Sequence, residues 1–180
     1  KISDEIKGNV WYINYYFQGE PFINKNFLSY IKYSTSNGIY CSTSTNAHFL
    51  NSQTAKETVE SGLNRLIISI DGTTQKSYEQ YRKRGSLEKV IEGTKNIIKW
   101  KKELNSKTPH VIFQFLVVRH NENEIADAIE LSKKLEVNEI RFKTAQVYNF
   151  KNGNSLLPKN DKYSRYKKQK DGTYKLKNKM

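Results

Sequence analysis

Brief β-rich runs alternate with helical patterns along most of this 180-residue chain, and that alternation limits the folds open to it. Residues 9–17, 39–43, 65–70, 110–118 and 139–143 are short, apolar and rich in branched or aromatic side chains, as strands are. Between them, residues 22–36, 52–61, 75–82 with 87–104, and 122–135 carry helical spacing of their apolar positions. Connections that contain a helix join parallel neighbours, and do so right-handedly, so the pattern predicts βαβ units, a parallel sheet and the α/β class. The near-regular strand spacing, with one longer crossover, suits either a β/α barrel or a doubly wound sheet. Residues 1–7 read as a helix end closed by Gly8, and the start at Lys1 rather than Met points to a fragment of a longer protein.

The net charge of +13 would suit a polyanion partner, but its placement argues otherwise. Residues 149–180 hold ten Lys/Arg against Asp161 and Asp171, whereas residues 1–148 hold 21 against 16. Lysines outnumber arginines 25 to 6, which favours a solvated face over bidentate phosphate recognition and makes nucleic acid a minor reading. The segment from 149 onward, with Gly153 and Gly172 as breakers and few apolar residues, reads as a basic linker or extension without a core of its own. No apolar run is long enough to span a membrane and no leader pattern opens the chain, so the expected location is cytoplasmic with no membrane partner. The single Cys41 lies in an apolar run, reads as a buried small hydrophobe, and alone makes no disulfide, zinc or iron–sulfur site.

In parallel β/α folds the ligand site gathers at the strand carboxyl ends. The residues there are Gln18-Gly19-Glu20-Pro21, then Ser44-Thr45-Asn46-Ala47-His48, then Ser69-Ile70-Asp71-Gly72 with Tyr78 to Gly85 beyond, then Arg119-His120-Asn121, then Lys143 to Tyr148. Each group also has a structural explanation. Gly19 permits a sharp turn, Glu20 suits a helix start and Pro21 its first turn. Asp71-Gly72 is a turn pair, and Thr74 with Ser77 offers caps. Asn46 could cap the next helix, and His48 reads as an ordinary exposed or core histidine. Capping leaves Ser69 unexplained: two residues from Asp71, it points to the same side of the strand end, where Arg82 could pair with a carboxylate. No Gly-x-Gly-x-x-Gly, phosphate loop or metal-ligand cluster is present, so the residues alone define a β/α domain with a polar rim for a small polar ligand.

Taken in order, Gly-Glu-Pro at 19–21, Ser-Thr-Asn-Ala at 44–47, Ser-Ile-Asp-Gly at 69–72, and Tyr-x-x-Tyr-Arg at 78–82 followed by Gly85 resemble the radical S-adenosylmethionine (SAM) superfamily. Its members that carry a C-terminal SPASM auxiliary-cluster domain are the most similar. The resemblance spans about residues 9 to 148 and implies a partial (β/α)6 TIM-type barrel whose first strand is missing here, the visible strands being the second to sixth. Residues 1–148 would be the barrel core and residues 149–180 the extension toward a SPASM domain. Gly19, Glu20 and Pro21 would bind the methionyl amino group of SAM, and Ser69 and Arg82 its carboxylate. Asp71 belongs to the same rim, while Asn46, Asn121 and the loop after Phe142 would lie near the ribose or adenine. No catalytic residue of this chain follows from the resemblance.

The family chemistry is reductive cleavage of SAM, chelated by a [4Fe-4S] cluster, to a 5'-deoxyadenosyl radical that abstracts hydrogen from substrate. A reducing partner such as flavodoxin or ferredoxin supplies the electron, and the implied substrate is a peptide, a protein or a cell-envelope precursor. The three cysteines of the family's Cys-x3-Cys-x2-Cys loop do not occur in this sequence, nor does the strand before them. Truncation explains this most simply, in which case the isolated chain is inactive and the parent is the enzyme. Smaller departures are Gln18 in place of a first Gly and Ala47 in place of the Gly after Thr-Asn. The readings that compete are a noncatalytic β/α small-ligand module and a nucleic-acid binder acting through the basic tail.

Overall fold

A computed structural model describes residues 4–5 and 8–177. Five parallel strands form one sheet: β1 (Tyr12–Asn14), β2 (Tyr40–Thr45), β3 (Arg65–Ser69), β4 (His110–Val117) and β5 (Glu139–Thr144). The helices are α1 (Phe27–Ser36), α2 (Ser52–Glu60), α3 (Gln75–Tyr81) with α4 (Leu87–Glu103), and α5 (Ile125–Lys134). Spatial order equals chain order, β1-β2-β3-β4-β5. A doubly wound sheet reverses its order at a switch point, so this is the open, barrel-type alternative. The strands do not close on themselves.

Strand alternation sorts the residues onto two faces. Cys41, Leu66, Ile68, Ile70, Val111 and Phe113 pack into the main core against Ala55 of α2 and Val90 and Ile97 of α4. The opposite, concave face carries Ser42, Ser44, Arg65, Ser69 and Gln114, with Arg141 and Lys143 in register on β5. Local signals explain the helices. Ser86 caps α4 at the Lys89 N–H, Glu88 lies in its first turn and Lys101 and Lys102 in its last, and Leu87, Val90, Gly93 and Ile97 form its buried stripe. Thr74 and Ser77 form a capping box on α3, as expected of them.

Three expectations need correction. The first strand is much shorter than residues 9–17: its register with β2 spans Tyr12 to Asn14, with flanking bonds at the Trp11 carbonyl and the Tyr15 N–H, and no ladder pairing extends beyond them among the described residues. Trp11 and Phe17 project from it, 84% and 88% exposed, whereas Tyr15 turns inward onto Phe27 and the Ser34 hydroxyl. The helix expected over 22–36 is split into a 3-10 turn at Pro21–Ile23 and α1, because Asn24 is extended at its cap and accepts from the Asn26 N–H in a local turn.

The extension, in turn, does build a core. Val147, Leu157 and Tyr166 pack with Phe150, Leu156 and Tyr174, and Tyr166–Lys168 (β6) pairs antiparallel with Tyr174–Leu176 (β7). The Tyr166 hydroxyl accepts from the Val147 N–H at 3.0 Å and donates to its carbonyl at 2.9 Å. Composition concealed this because the few apolar residues that form the core are scattered among lysines. Arg119 ties the segment to the β4 end through the Leu156 and Leu157 carbonyls. The helix end expected at residues 1–7 falls largely outside the described residues.

Gly93 sits where α4 crosses the loop after β2: an added Cβ would lie 2.5 Å from the Ala47 carbonyl oxygen and 3.0 Å from Leu50 Cβ. Gly93→Ala is therefore expected to destabilise the fold by about 1–3 kcal/mol, read as a lower urea midpoint with unchanged slope.

Candidate cofactor site at the strand carboxyl ends

The loop after β1 turns at Gly19, whose φ of +84° is left-handed, and enters the 3-10 turn with Glu20 as its cap and Pro21 at its start. The Glu20 carboxylate also reaches across to β2. Oε1 accepts from the Thr45 hydroxyl at 2.7 Å and Oε2 from the Asn46 N–H at 2.7 Å, locking the Gly-Glu-Pro segment to the Thr-Asn segment. Thr45 accepts in turn from the Ala47 N–H at 3.0 Å. Ala47 has φ +62°, the left-handed region that favours glycine, which explains why Gly suits this position. Asn46 does not cap α2. Its Oδ1 accepts from the His48 N–H at 2.9 Å, and Asn51 caps the helix instead. His48 Nε2 accepts from the Ser86 N–H at 2.9 Å, so this histidine links the β2 loop to the start of α4.

Beyond β3, Asp71 is 1% exposed and holds Arg82 by a 2.6 Å ion pair from Nε to Oδ2. Its Oδ1 accepts from the Leu116 N–H at 2.8 Å. Asn121 is fully buried; its amide donates to the Asp71 and Leu116 carbonyls, and its Oδ1 accepts from Val118 N–H. Glu124 completes the tie by accepting from the Thr73 N–H, the Thr73 hydroxyl and the Ser77 hydroxyl. Burial lowers the Arg82 pKa, but the Asp71 charge and hydrogen bond more than offset it, so the guanidinium stays protonated. Tyr78 lies under this turn with its hydroxyl buried and unpartnered, its pKa pushed up to about 12 by burial. Gly85 packs on its ring, where a Cβ would lie 2.7 Å from Cε1.

Gly19, Glu20, Asn46, Ser69 and Arg82 meet in one cleft of about 60 Å³, with Tyr16, Ser44 and Thr45 completing its wall. That volume accepts an amino-acid head group. Pro21, Asp71 and Asn121 do not line it: Pro21 builds the turn, and the other two lie behind the rim as ties. Tyr16 was missed because its run was read as strand throughout. Ser44 was assigned to the rim although it belongs to β2, where a period-two stripe of Ser42 and Ser44 is the signal. The largest cavity, about 660 Å³, lies instead between Thr144 and the β6–β7 hairpin and shares no lining residue with this cleft. We place the site at the smaller one because it gathers the motif residues.

The donor set fits the zwitterion of SAM's methionyl group. The Ser69 hydroxyl and both Arg82 Nη atoms have no partner among the described residues and are donors suited to a carboxylate. Gly19 lines the cleft, and its carbonyl accepts no hydrogen bond among the described residues, so it is an acceptor suited to an ammonium. An iron–sulfur cluster is a different matter. Its ligands would be thiolates, the 180 residues contain one cysteine, and no group of three or more His, Cys, Asp or Glu is placed to hold a metal among the described residues. The residues of this chain do not fit the cluster.

Comparison with known proteins identifies the family. The family model of the radical SAM superfamily matches residues 3–132, and the chain belongs to that superfamily, whose members are enzymes that use SAM and a [4Fe-4S] cluster. Among curated proteins it is 31% identical over 125 residues to the GTP 3',8-cyclase of Peptoclostridium acidaminophilum, covering 69% of this chain and 37% of that protein, so the chain spans little over a third of that relative's length. Among solved structures it is similar to TYW1 with a lysine-pyruvate adduct bound (20% identity, TM-score 0.58, 92% of this chain and 56% of that one). It is also similar to anSMEcpe with bound AdoMet and a Cp18Cys peptide (15% identity, TM-score 0.64, 86% and 45%). At these identities the structural likeness establishes the fold. Among the described residues no helix is long and apolar enough to cross a membrane.

Cys41 is fully buried, and burial pushes its thiol up to about 11. Folding favours the protonated thiol, so this contribution to stability is present at neutral pH and is lost as pH rises through about 11. The thiol is expected to resist iodoacetamide in the native protein at pH 8 and to react within minutes in guanidinium, with mass spectrometry as the readout.

Proposed function

We propose that this chain is the SAM-binding barrel core of a radical SAM enzyme of the SPASM-containing type, acting on a peptide, a protein or a cell-envelope precursor. The observation that carries the reading is the convergence of Ser69, Arg82, Asn46 and the Gly19–Glu20 backbone on one cleft. SAM, when bound and reduced by one electron, is the source of the hydrogen-abstracting species.

The residues of the chain do the rest. Ser69 and the Arg82 guanidinium hold the carboxylate, and the backbone at Gly19 and Glu20 holds the ammonium. Glu20, Thr45 and Asn46 keep those two binding elements at a fixed spacing. The concave face beyond the cleft is where a substrate would lie. On β5 Arg141 is already paired with Glu139, whereas Lys143 has no partner among the described residues, which favours a substrate with an anionic group. The electron would come from a reducing partner of the flavodoxin or ferredoxin kind. The noncatalytic-module reading accounts for Arg82 as the partner of Asp71 but leaves the Ser69 hydroxyl and the Arg82 Nη edge unused unless another small ligand takes them.

Calorimetry with SAM tests this. The unaltered chain is expected to bind, and Arg82→Ala is expected to weaken binding by about 10–100-fold, as loss of a charged hydrogen bond does. Ser69→Ala should weaken it less, and the double variant should abolish it. Indifference to both substitutions would overturn the assignment and favour the noncatalytic module.

A further inference from the structure

Asp71 stands in the rim motif beside Ser69, yet its geometry gives it another role. Its side chain is 2% exposed, and both carboxylate oxygens are spent, one on Arg82 Nε and the other on the Leu116 N–H. Its carbonyl is taken by the Asn121 amide. The buried carboxylate is therefore out of a ligand's reach. Arg82, one residue beyond α3, is about a third exposed and lines the cleft.

A guanidinium is planar, so anchoring its Nε–H fixes the direction of the whole group. With Nε held at 2.6 Å by Asp71, only the edge formed by the two Nη atoms is left for the cleft. We infer that Asp71 is a positioning residue for SAM recognition: it holds Arg82 by Nε so that the Nη edge receives the ligand carboxylate end-on. The inference rests on the SAM reading above.

Two opposed effects make the idea decidable by sign. Asp71 carries a negative charge close to where a carboxylate would bind, and electrostatics alone says that its removal should tighten binding. Its hold on Arg82 orders the guanidinium in advance, and loss of that order should weaken binding. The inference states that ordering prevails. The anchor itself is stiff, because Leu116 belongs to β4 and the Asn121 amide bridges the Asp71 and Leu116 carbonyls.

The experiment compares SAM with decarboxylated SAM, which keeps the amino, sulfonium and adenosine groups. The unaltered chain should prefer SAM. Asp71→Asn should lose about 10-fold or more in SAM affinity, in the range of supporting-residue substitutions, while its affinity for the decarboxylated probe changes less than about 3-fold. Combined with Arg82→Ala, it should weaken SAM no further than Arg82→Ala alone, since both act through one group. Tighter SAM binding by Asp71→Asn, equal losses for both probes, or additive losses would overturn the inference.

Should Asp71→Asn fail to fold, the unaltered chain labelled with 15N-arginine supplies the answer. The Arg82 Nε–H, identified by its loss in Arg82→Lys, should exchange slowly with and without SAM, while SAM shifts only the Nη signals. An Nε–H that exchanges freely before SAM is added overturns the inference. If the unaltered chain shows no preference between the two probes, the SAM reading fails and this inference falls with it. A preference that survives Asp71→Asn undiminished removes Asp71 alone.

Discussion

A buried carboxylate holds the functional end of this molecule together. A charge taken out of water costs several kcal/mol unless its partners are well placed, and removal of one partner is more damaging than absence of the pair. Asp71 has such partners from three directions: the Arg82 guanidinium beyond α3, the Leu116 N–H of β4, and Asn121 against its own carbonyl. The β3 end, the turn before α3 and the β4 end are therefore one unit. Because Arg82 keeps a third of its side chain in solvent, the pair's worth lies more in geometry than in attraction.

Around that unit the sheet separates two kinds of surface. Parallel strands with all helices on one side bury their convex face and leave the concave face lined by whatever the alternate residues supply. Here those residues include Ser42, Ser44, Ser69 and Gln114, with Ile67, Ile112 and Leu116 among them and Lys143 beside the Arg141–Glu139 pair on β5, whereas Leu66, Ile68 and Phe113 fill the other side. The same pleat that builds the core thus makes the polar hollow. Glu20 performs at β2 what Asp71 performs at β4, spending its carboxylate on the neighbouring strand end so that the Gly19 turn is fixed against β2.

Much of this was legible in the chain. Residues 65–70 and 110–118 are so densely apolar and branched that no other element competes, and Ser86 before Leu87 and Thr74 before Ser77 announce helix starts by side chains that accept from nearby N–H groups. That Ser69 and Arg82 share one rim followed from the motif resemblance, whereas the residues alone placed Ser69 and Asp71 on one side of the strand end. The extension was not legible, since Val147, Phe150, Leu157, Tyr166 and Tyr174 are too scattered to show a period and meet only when the ribbon folds back. The start of α1 was displaced because the Asn24 side chain accepts from the Asn26 N–H in a local turn that delays the helix.

By itself the sequence determined the class of fold and the set of polar residues at its strand ends, because periodicity and caps act over a few residues, but it left open the spatial order of the strands, which pairing across the sheet fixed. Tertiary structure decided which of those residues face the cleft and which stand behind it. Asp71 takes its two side-chain partners from 11 and 45 positions away, and Asn121 reaches back 50 to the Asp71 carbonyl. A carboxylate and an amide in a rim motif look like ligand groups until such distant donors and acceptors claim them. Hydrogen-bonding capacity is finite, and only the folded chain shows where it is spent.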